Sequence, residues 1–168
     1  TVEVSDTIYP SVTDGRLSWG RSDTMHVAYT DVTSTTDSSV DTALAVESAT
    51  AGVVRFYENN AYSDDVDTYL TRDQMFIAVH DTDENRNPQM KDTVSVTVYV
   101  GNGTSELGYG AGLVLDTETL VLTESGETTG VFQSDTIALT DTKVPSASDR
   151  AIAWGRSDTM QASYTDVT

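Results

Sequence analysis

Residues 19–33 read WGRSDTMHVAYTDVT, and residues 154–168 read WGRSDTMQASYTDVT. Extended upstream, Thr1–Thr33 aligns with Thr136–Thr168 without a gap at an offset of 135 residues. Of these 33 positions 18 are identical, Asp6/Asp141, Pro10/Pro145 and Asp14/Asp149 among them. Self-similarity at a fixed period is the mark of a repeat architecture. The chain holds one full period plus the tail of the period before it. Its fold must therefore let the two copies play the same part in successive modules. Repeats of this kind build length, reach and surface rather than chemistry.

Inside a period the pattern is that of strands. The chain carries 27 threonines, with Val and Asp next in use, and Thr and Val suit a pleated, half-buried surface. Val94, Val96, Val98 and Val100 alternate with polar partners on one clean strand, and Met75–Val79 reads as a buried central strand. Counting onward, residues 53–57, 73–80, 93–100, 118–123, 131–140 and 157–165 make six strands. A seventh is expected where 40–46 follows the first WGRSDTM strand. A fainter internal similarity relates Asp23–Asp31 and its following 41–46 to Asp73–Asp81 and its following 92–98. Each reads as strand, Asp-rich loop, strand, which predicts two long hairpins. About seven short strands per 135-residue period fit an all-β, immunoglobulin-like Greek-key sandwich.

On that count residues 1–46 are the closing strands of a preceding repeat, or strands donated to one. Residues 47–168 are a domain lacking its last strand. Such a domain has an open edge. A strand like 40–46 from another copy would close it, supplied by continuing chain or by another molecule through β-augmentation.

Charge narrows the partners. With 27 acidic residues against 9 basic the formal net charge is −18. A polyanion is repelled, so nucleic acid is disfavoured, as are anionic membrane surfaces. Divalent cations and high-salt solubility both suit such a surface. There is no cysteine, which removes disulfides and thiolate metal sites and leaves the compartment undecided. No apolar run approaches the ~18 residues of a membrane span. With no initiator Met and no signal peptide, the chain reads as a processed product or a piece of something longer.

The best chemical candidate is the segment Asp81, Asp83, Asn85, Asn87 and Asp92. Oxygen side chains at positions 1, 3, 5, 7 and 12 imitate an EF-hand loop, and hard cations such as Ca²⁺ want six to eight oxygens. Arg86 stands where that loop has Gly, Asp92 replaces the bidentate Glu, and no helices flank it, so it is no EF-hand. A calcium-stapled hairpin and an Asx-rich turn both fit the residues. Asp31, Asp37 and Asp41 form a weaker counterpart. Asp64, Asp65 and Asp67 read as a solvated loop, and Asp116, Glu118 and Glu124 as an exposed strand face. Trp19 and Trp154, placed within the repeat, suit packing at a module junction better than sugar stacking. His26 and His80 have no repeat counterpart, since Gln161 replaces His26. Asn102-Gly103-Thr104 is a glycosylation acceptor pattern in an apparent turn. No base–nucleophile spacing is present, and the chain reads as a non-enzyme.

Several segments follow an order seen elsewhere. The loop Asp81-Thr-Asp83-Glu-Asn85-Arg-Asn87-Pro88 is followed by a strand opening on Asp92-Thr93. Then come the hairpin from Asp116 through Leu-Thr-Glu124 and Gly126 to Gly130-Val-Phe132, and a last strand from Ser157-Asp158-Thr159 to Asp166. Across most of residues 51–168 this resembles the tandem immunoglobulin-like repeats of bacterial and archaeal surface proteins, namely S-layer proteins, long adhesins and extracellular filaments. Here Arg-Ser-Asp replaces the Gly-Asp of the last strand. The resemblance implies immunoglobulin-like domains, extracellular display and often bound calcium. The expectation is a structural protein of the cell surface that self-associates with identical repeats into a filament, lattice or stalk. The alternative is an adhesin or carbohydrate-binding module with exposed aromatics such as Tyr57, Tyr62, Tyr69 and Tyr109.

Overall fold

The computed structural model describes residues 1–5, 11–20, 23–34, 36–46, 49–102, 114–142, 144, 146–156 and 158–166. All its regular elements are strands: β1 (Glu3–Ser5), β2 (Arg16–Ser18), β3 (Thr24–Thr30), β4 (Ser38–Leu44), β5 (Val53–Tyr57), β6 (Gln74–His80), β7 (Thr93–Asn102), β8 (Val114–Glu124), β9 (Val131–Gln133), β10 (Ile137–Thr140), β11 (Ala151–Ala153) and β12 (Asp158–Tyr164). The fold is all-β, a sandwich of immunoglobulin-like type.

One layer grows from the β7–β8 hairpin. Period-two alternation puts Val94, Val96, Val98 and Val100 on its inner face, and cross-strand pairing sets Val94 against Leu122 and Val96 against Leu120. β12 adds to the outer edge of β7, from Asp158 opposite Asn102 to Tyr164 opposite Val96. The other layer is centred on β6, whose Met75–Val79 are all buried. β5 pairs along one edge of β6, while β9 and β10 share the other.

The expected strand 131–140 is broken between β9 and β10 at Ser134. Its Oγ accepts the Ile77 N–H at 2.9 Å, and its own N–H donates to the Ile77 carbonyl at 2.9 Å. Ahead of the break β9 also pairs with β8, Glu124 opposite Phe132. It thereby stitches the two layers round a core of Phe132, Met75, Ile77, Leu122, Ile137 and Ile152. Tyr57, Phe76 and Ala78 form a smaller cluster on the other face of β6, with Tyr62 packed against it.

Two expectations are corrected. The first anticipated hairpin exists, β3 pairing with β4 from Thr24 opposite Leu44 to Thr30 opposite Ser38. The second does not: β6 and β7 are consecutive but unpaired, separated in the strand order by β9 and β8, and their inner faces meet in one core. The loop between them crosses the sandwich. The second correction concerns Asp116, Glu118 and Glu124, which are buried rather than exposed. They share the inner face of β8 with Leu120 and Leu122, and each is satisfied by backbone N–H groups that have no ladder partner. Asp116 accepts from Ala153 at 2.7 Å and from Thr117 at 2.9 Å. Glu118 accepts from Arg150 at 3.1 Å and Asp149 at 3.3 Å. Buried carboxylates are tolerable when hydrogen-bonded in this way.

The sequence repeat is also a structural repeat. β1 pairs in parallel with β2 as Glu3–Arg16, Val4–Leu17 and Ser5–Ser18. β10 pairs in parallel with β11 as Ala138–Ala151, Leu139–Ile152 and Thr140–Ala153, every position shifted by 135. The Trp19 N–H meets the Ser5 carbonyl at 3.0 Å, and Trp154 meets Thr140 at 2.8 Å. The Gly20 N–H donates to Asp23 Oδ2 at 3.0 Å, and Gly155 to Asp158 Oδ2 at 2.7 Å. Even the left-handed residue before the second strand recurs, Gly15 at φ 71° and Arg150 at φ 59°.

The β8 acids give a test. Glu118→Ala strands two N–H groups and should cost about 1–3 kcal/mol in urea unfolding. Thr119→Ala, on the exposed face of the same strand, should stay within about 0.5 kcal/mol.

Candidate metal centre

The crossing loop between β6 and β7 begins at Asp81, whose N–H donates to the Gly130 carbonyl at 2.8 Å. Gly130 is required there. Its φ is +58°, and a Cβ would lie 2.9 Å from the Asp81 carbonyl oxygen and 2.8 Å from Thr82 Cα. Glu124 fixes both ends of the loop. Oε1 accepts the N–H groups of Thr129 and Gly130 at 2.6 and 2.7 Å, beside Asp81. Oε2 accepts the N–H of Asp92, where the loop ends, at 3.2 Å.

Asp81, Asp83, Glu84 and Asn85 are all buried. From the lead-in to β5, Thr50 donates its N–H to Asp83 Oδ1 at 3.2 Å and its hydroxyl to the same oxygen. From the end of β12, the Tyr164 hydroxyl donates to Asp81 Oδ2 at 2.7 Å. Asp166, two residues on, brings a third carboxylate. Asp81, Asp83 and Asp166 each offer one oxygen within 4.8 Å of the others. The Oδ1 of Asn85 is buried with no hydrogen-bond partner among the described residues. Glu84 is turned to a different task, an ion pair with Arg86 at 2.5 Å.

Burial pushes the Asp81 carboxyl up to about 6, aided by the hydrogen bond and negative charge of Asp83 and by Asp166, with the Tyr164 hydroxyl opposing. Burial and the adjacent Asp81 push the Tyr164 phenol up as well. Three convergent carboxylates, all hard donors, could hold a metal ion.

The candidate residues divide. Asp81 and Asp83 converge, and Asn85 is buried in the same loop. Asn87 and Asp92 shape the turn: Asp92 Oδ2 accepts the N–H groups of Arg86 and Asn87 at 2.7 and 2.8 Å, and Asn87 Oδ1 accepts from Gln89 at 3.0 Å. Asp31, Asp37 and Asp41 lie along the β3–β4 hairpin; the Asp31 N–H donates to the Asp37 carbonyl at 2.9 Å, but the three carboxylates do not form a cluster among the described residues. Asp31 Oδ1 accepts from the N–H and hydroxyl of Thr33, both at 2.7 Å, which hold its carboxyl below the usual range. Asp41 is exposed on β4.

Asp166 is not among the residues that spacing singles out, yet it is the 135-residue counterpart of Asp31, each closing the Tyr-Thr-Asp of its copy. Asn102 ends β7, and the rest of its glycosylation pattern lies outside the described residues. Trp154 packs against the core, and Trp19 donates its indole N–H to the Asp23 carbonyl at 3.0 Å. The Trp19–Gly20 corner also rests on the crossing loop: Gly20 is buried, and a Cβ there would sit 2.9 Å from the Arg86 carbonyl oxygen. Neither a protein-family model nor a curated protein sequence matches this chain.

Two results are expected. Asp81 binds its proton more tightly folded than unfolded, where a carboxyl sits near 3.8. Its contribution to the cation-free fold is therefore full below about pH 4 and is lost as pH rises through about 6. Thermal melts from pH 4 to 6.5 should show that slope in the parent and a flatter one in Asp81→Asn. Separately, a Cβ on Gly52 would meet the Tyr164 ring at 2.4 Å and Asp81 Oδ2 at 2.8 Å. Gly52→Val should then destabilise by about 1–3 kcal/mol in urea.

Proposed function

We propose that this chain is a structural repeat of an extracellular or cell-surface protein, a β-sandwich bead that assembles with identical repeats into a filament, S-layer lattice or stalk. The observation that carries this reading is the matching of the two copies, strand register and hydrogen bond alike, across 135 residues. A segment that refolds the same way at a fixed interval is built to be joined to its own kind. The acidic surface keeps such an array soluble and gives nucleic acid and anionic lipid no purchase.

The cation of the metal centre is calcium in this proposal. Asp81, Asp83 and Asp166 supply charged oxygens, Asn85 a neutral one, and water the remainder of a coordination shell that tolerates irregular geometry. Bound there, the ion offsets three clustered charges and ties the end of β12 to the loop between β6 and β7. It would stiffen the bead rather than act on a substrate.

The adhesin or carbohydrate-binding reading asks for aromatic faces open to a ligand. Tyr57 is buried, its ring set edge-on to Tyr62. Tyr62 donates its hydroxyl to the Ser134 carbonyl, and Tyr69 donates to the Tyr57 carbonyl at 2.8 Å. These three side chains are spent on the fold, which favours the structural reading; Tyr109 lies outside the described residues.

Calcium should raise the melting temperature of the chain, by an amount equivalent to about 2.7 kcal/mol at a hundred times the dissociation constant. Terbium in its place should show luminescence sensitised by the adjacent Tyr164. Asp83→Asn and Asp166→Asn should abolish both signals, and an unmoved melt in millimolar calcium would remove calcium from the proposal. Sedimentation and negative-stain imaging, with calcium and with chelator, test assembly: fibres or sheets that loosen in chelator support it, and monodisperse particles in both conditions oppose it.

A further inference from the structure

Apolar side chains that form the core in the second copy stand on the surface in the first. Ile137 is 1% exposed and its counterpart Val2 56%; Leu139 is 3% exposed and Val4 42%; Ile152 is 1% exposed and Leu17 42%. On β12, Met160, Ala162 and Tyr164 pack against the core, while Val27 and Tyr29, at the Ala162 and Tyr164 positions of β3, are about 60% exposed. The backbone of the first copy is already in the conformation that buries these side chains in the second. An exposed apolar face with a formed backbone marks an interaction surface. Here the second copy also shows what covers such a face, namely strands β5 to β9.

We infer that β1, β2 and β3 close a second sandwich, and that the surface covering them is the β5–β9 half of another copy of this repeat placed ahead of Thr1. This rests on the repeat reading proposed above and names its partner. The preceding position is favoured over a separate molecule for a reason visible in the fold. In a complete copy the inner face of β5–β9 is already filled by its own Ile137, Leu139 and Ile152. Only a copy whose β9 runs on into Thr1 has that face open.

The register follows by shifting the observed pairs by 135. Met160–Val100, Ala162–Val98, Tyr164–Val96 and Ile137–Met75 become Met25–Val100, Val27–Val98, Tyr29–Val96 and Val2–Met75 across the interface. Asp31 then takes the place of Asp166 beside the preceding copy's Asp81 and Asp83. That gives Asp31 a partner set which the Asp37 and Asp41 of its own hairpin do not supply.

The test adds residues 51–135 ahead of Thr1 and compares this chain with the 168-residue parent. Hydrogen exchange of the β3 amides should slow at least ~10-fold, toward the values of β12. Because the chain has no cysteine, an engineered pair reads the register directly. Val27→Cys with Val98→Cys in the added segment should form a disulfide, and Val27→Cys with Val96→Cys should not. Val4→Asp should leave the melt of the parent unchanged and lower that of the extended chain.

Fast β3 exchange in the extended chain overturns the inference. So does an added segment that stays unprotected in its own β6, since its folding requires β1–β3. Concentration-dependent protection of β3 in the unextended parent would assign the surface to a separate molecule and overturn the placement ahead of Thr1. None of these readouts involves calcium or fibres, so loss of the filament or calcium proposal would leave this interface standing, and the reverse.

Discussion

Glu124 accepts backbone N–H groups from Thr129, Gly130 and Asp92 with one buried carboxylate, and much else rests on that arrangement. It turns the chain from β8 into β9, sets Gly130 against the carbonyl of Asp81, and anchors the far end of the crossing loop. Asp116 and Glu118 repeat the device lower on the same strand, gathering the backbone ahead of and within β11. A polar strand face has become a row of anchors for irregular backbone. This lets two layers that share few ladder hydrogen bonds close over one core. Burial holds the Glu118 carboxyl above its usual range, so the arrangement strains against its own desolvation and holds because each acid is met by N–H donors.

Charge is handled in two ways within this small body. On the outside, pairs such as Arg55–Asp65 and Arg72–Asp141 are exposed and contribute little to stability. Inside, Asp81, Asp83 and Asp166 bring one carboxylate oxygen each within 4.8 Å of the others. The hydrogen bonds from Thr50 and Tyr164 orient two of these carboxylates and leave the charge in place. Such a cluster of hard oxygen donors could hold a metal ion.

The sequence made the strands legible wherever alternation was unmixed, as in Val94–Val100, or wherever an apolar run was long enough to be central, as in Met75–Val79. It made the repeat legible outright. Charge suggests an exposed face for the inner acids, whereas strand parity puts them inside. Residues 116, 118, 120, 122 and 124 share one face, and Leu120 with Leu122 identifies that face as the inner one. Spacing alone found Asp81 and Asp83. Asp166 lies 83 residues beyond the latter, and only β12 pairing with β7 brings it home, which no local pattern records. The mistaken hairpin between β6 and β7 arose likewise: a loop of Asx residues between two strands looks the same whether it turns back along a layer or crosses to the other.

The resting of the Trp19–Gly20 corner on the Arg86 carbonyl has a geometric consequence. The corner belongs to the tail of one period and the loop to the head of the next, so the joint is made from two unlike surfaces. A contact between unlike surfaces does not close on itself as a twofold pair does, and Trp154–Gly155 is the repeat counterpart of that corner. In the array proposed above, joints of this kind would give polarity: every bead would point the same way, and the two ends would present different surfaces.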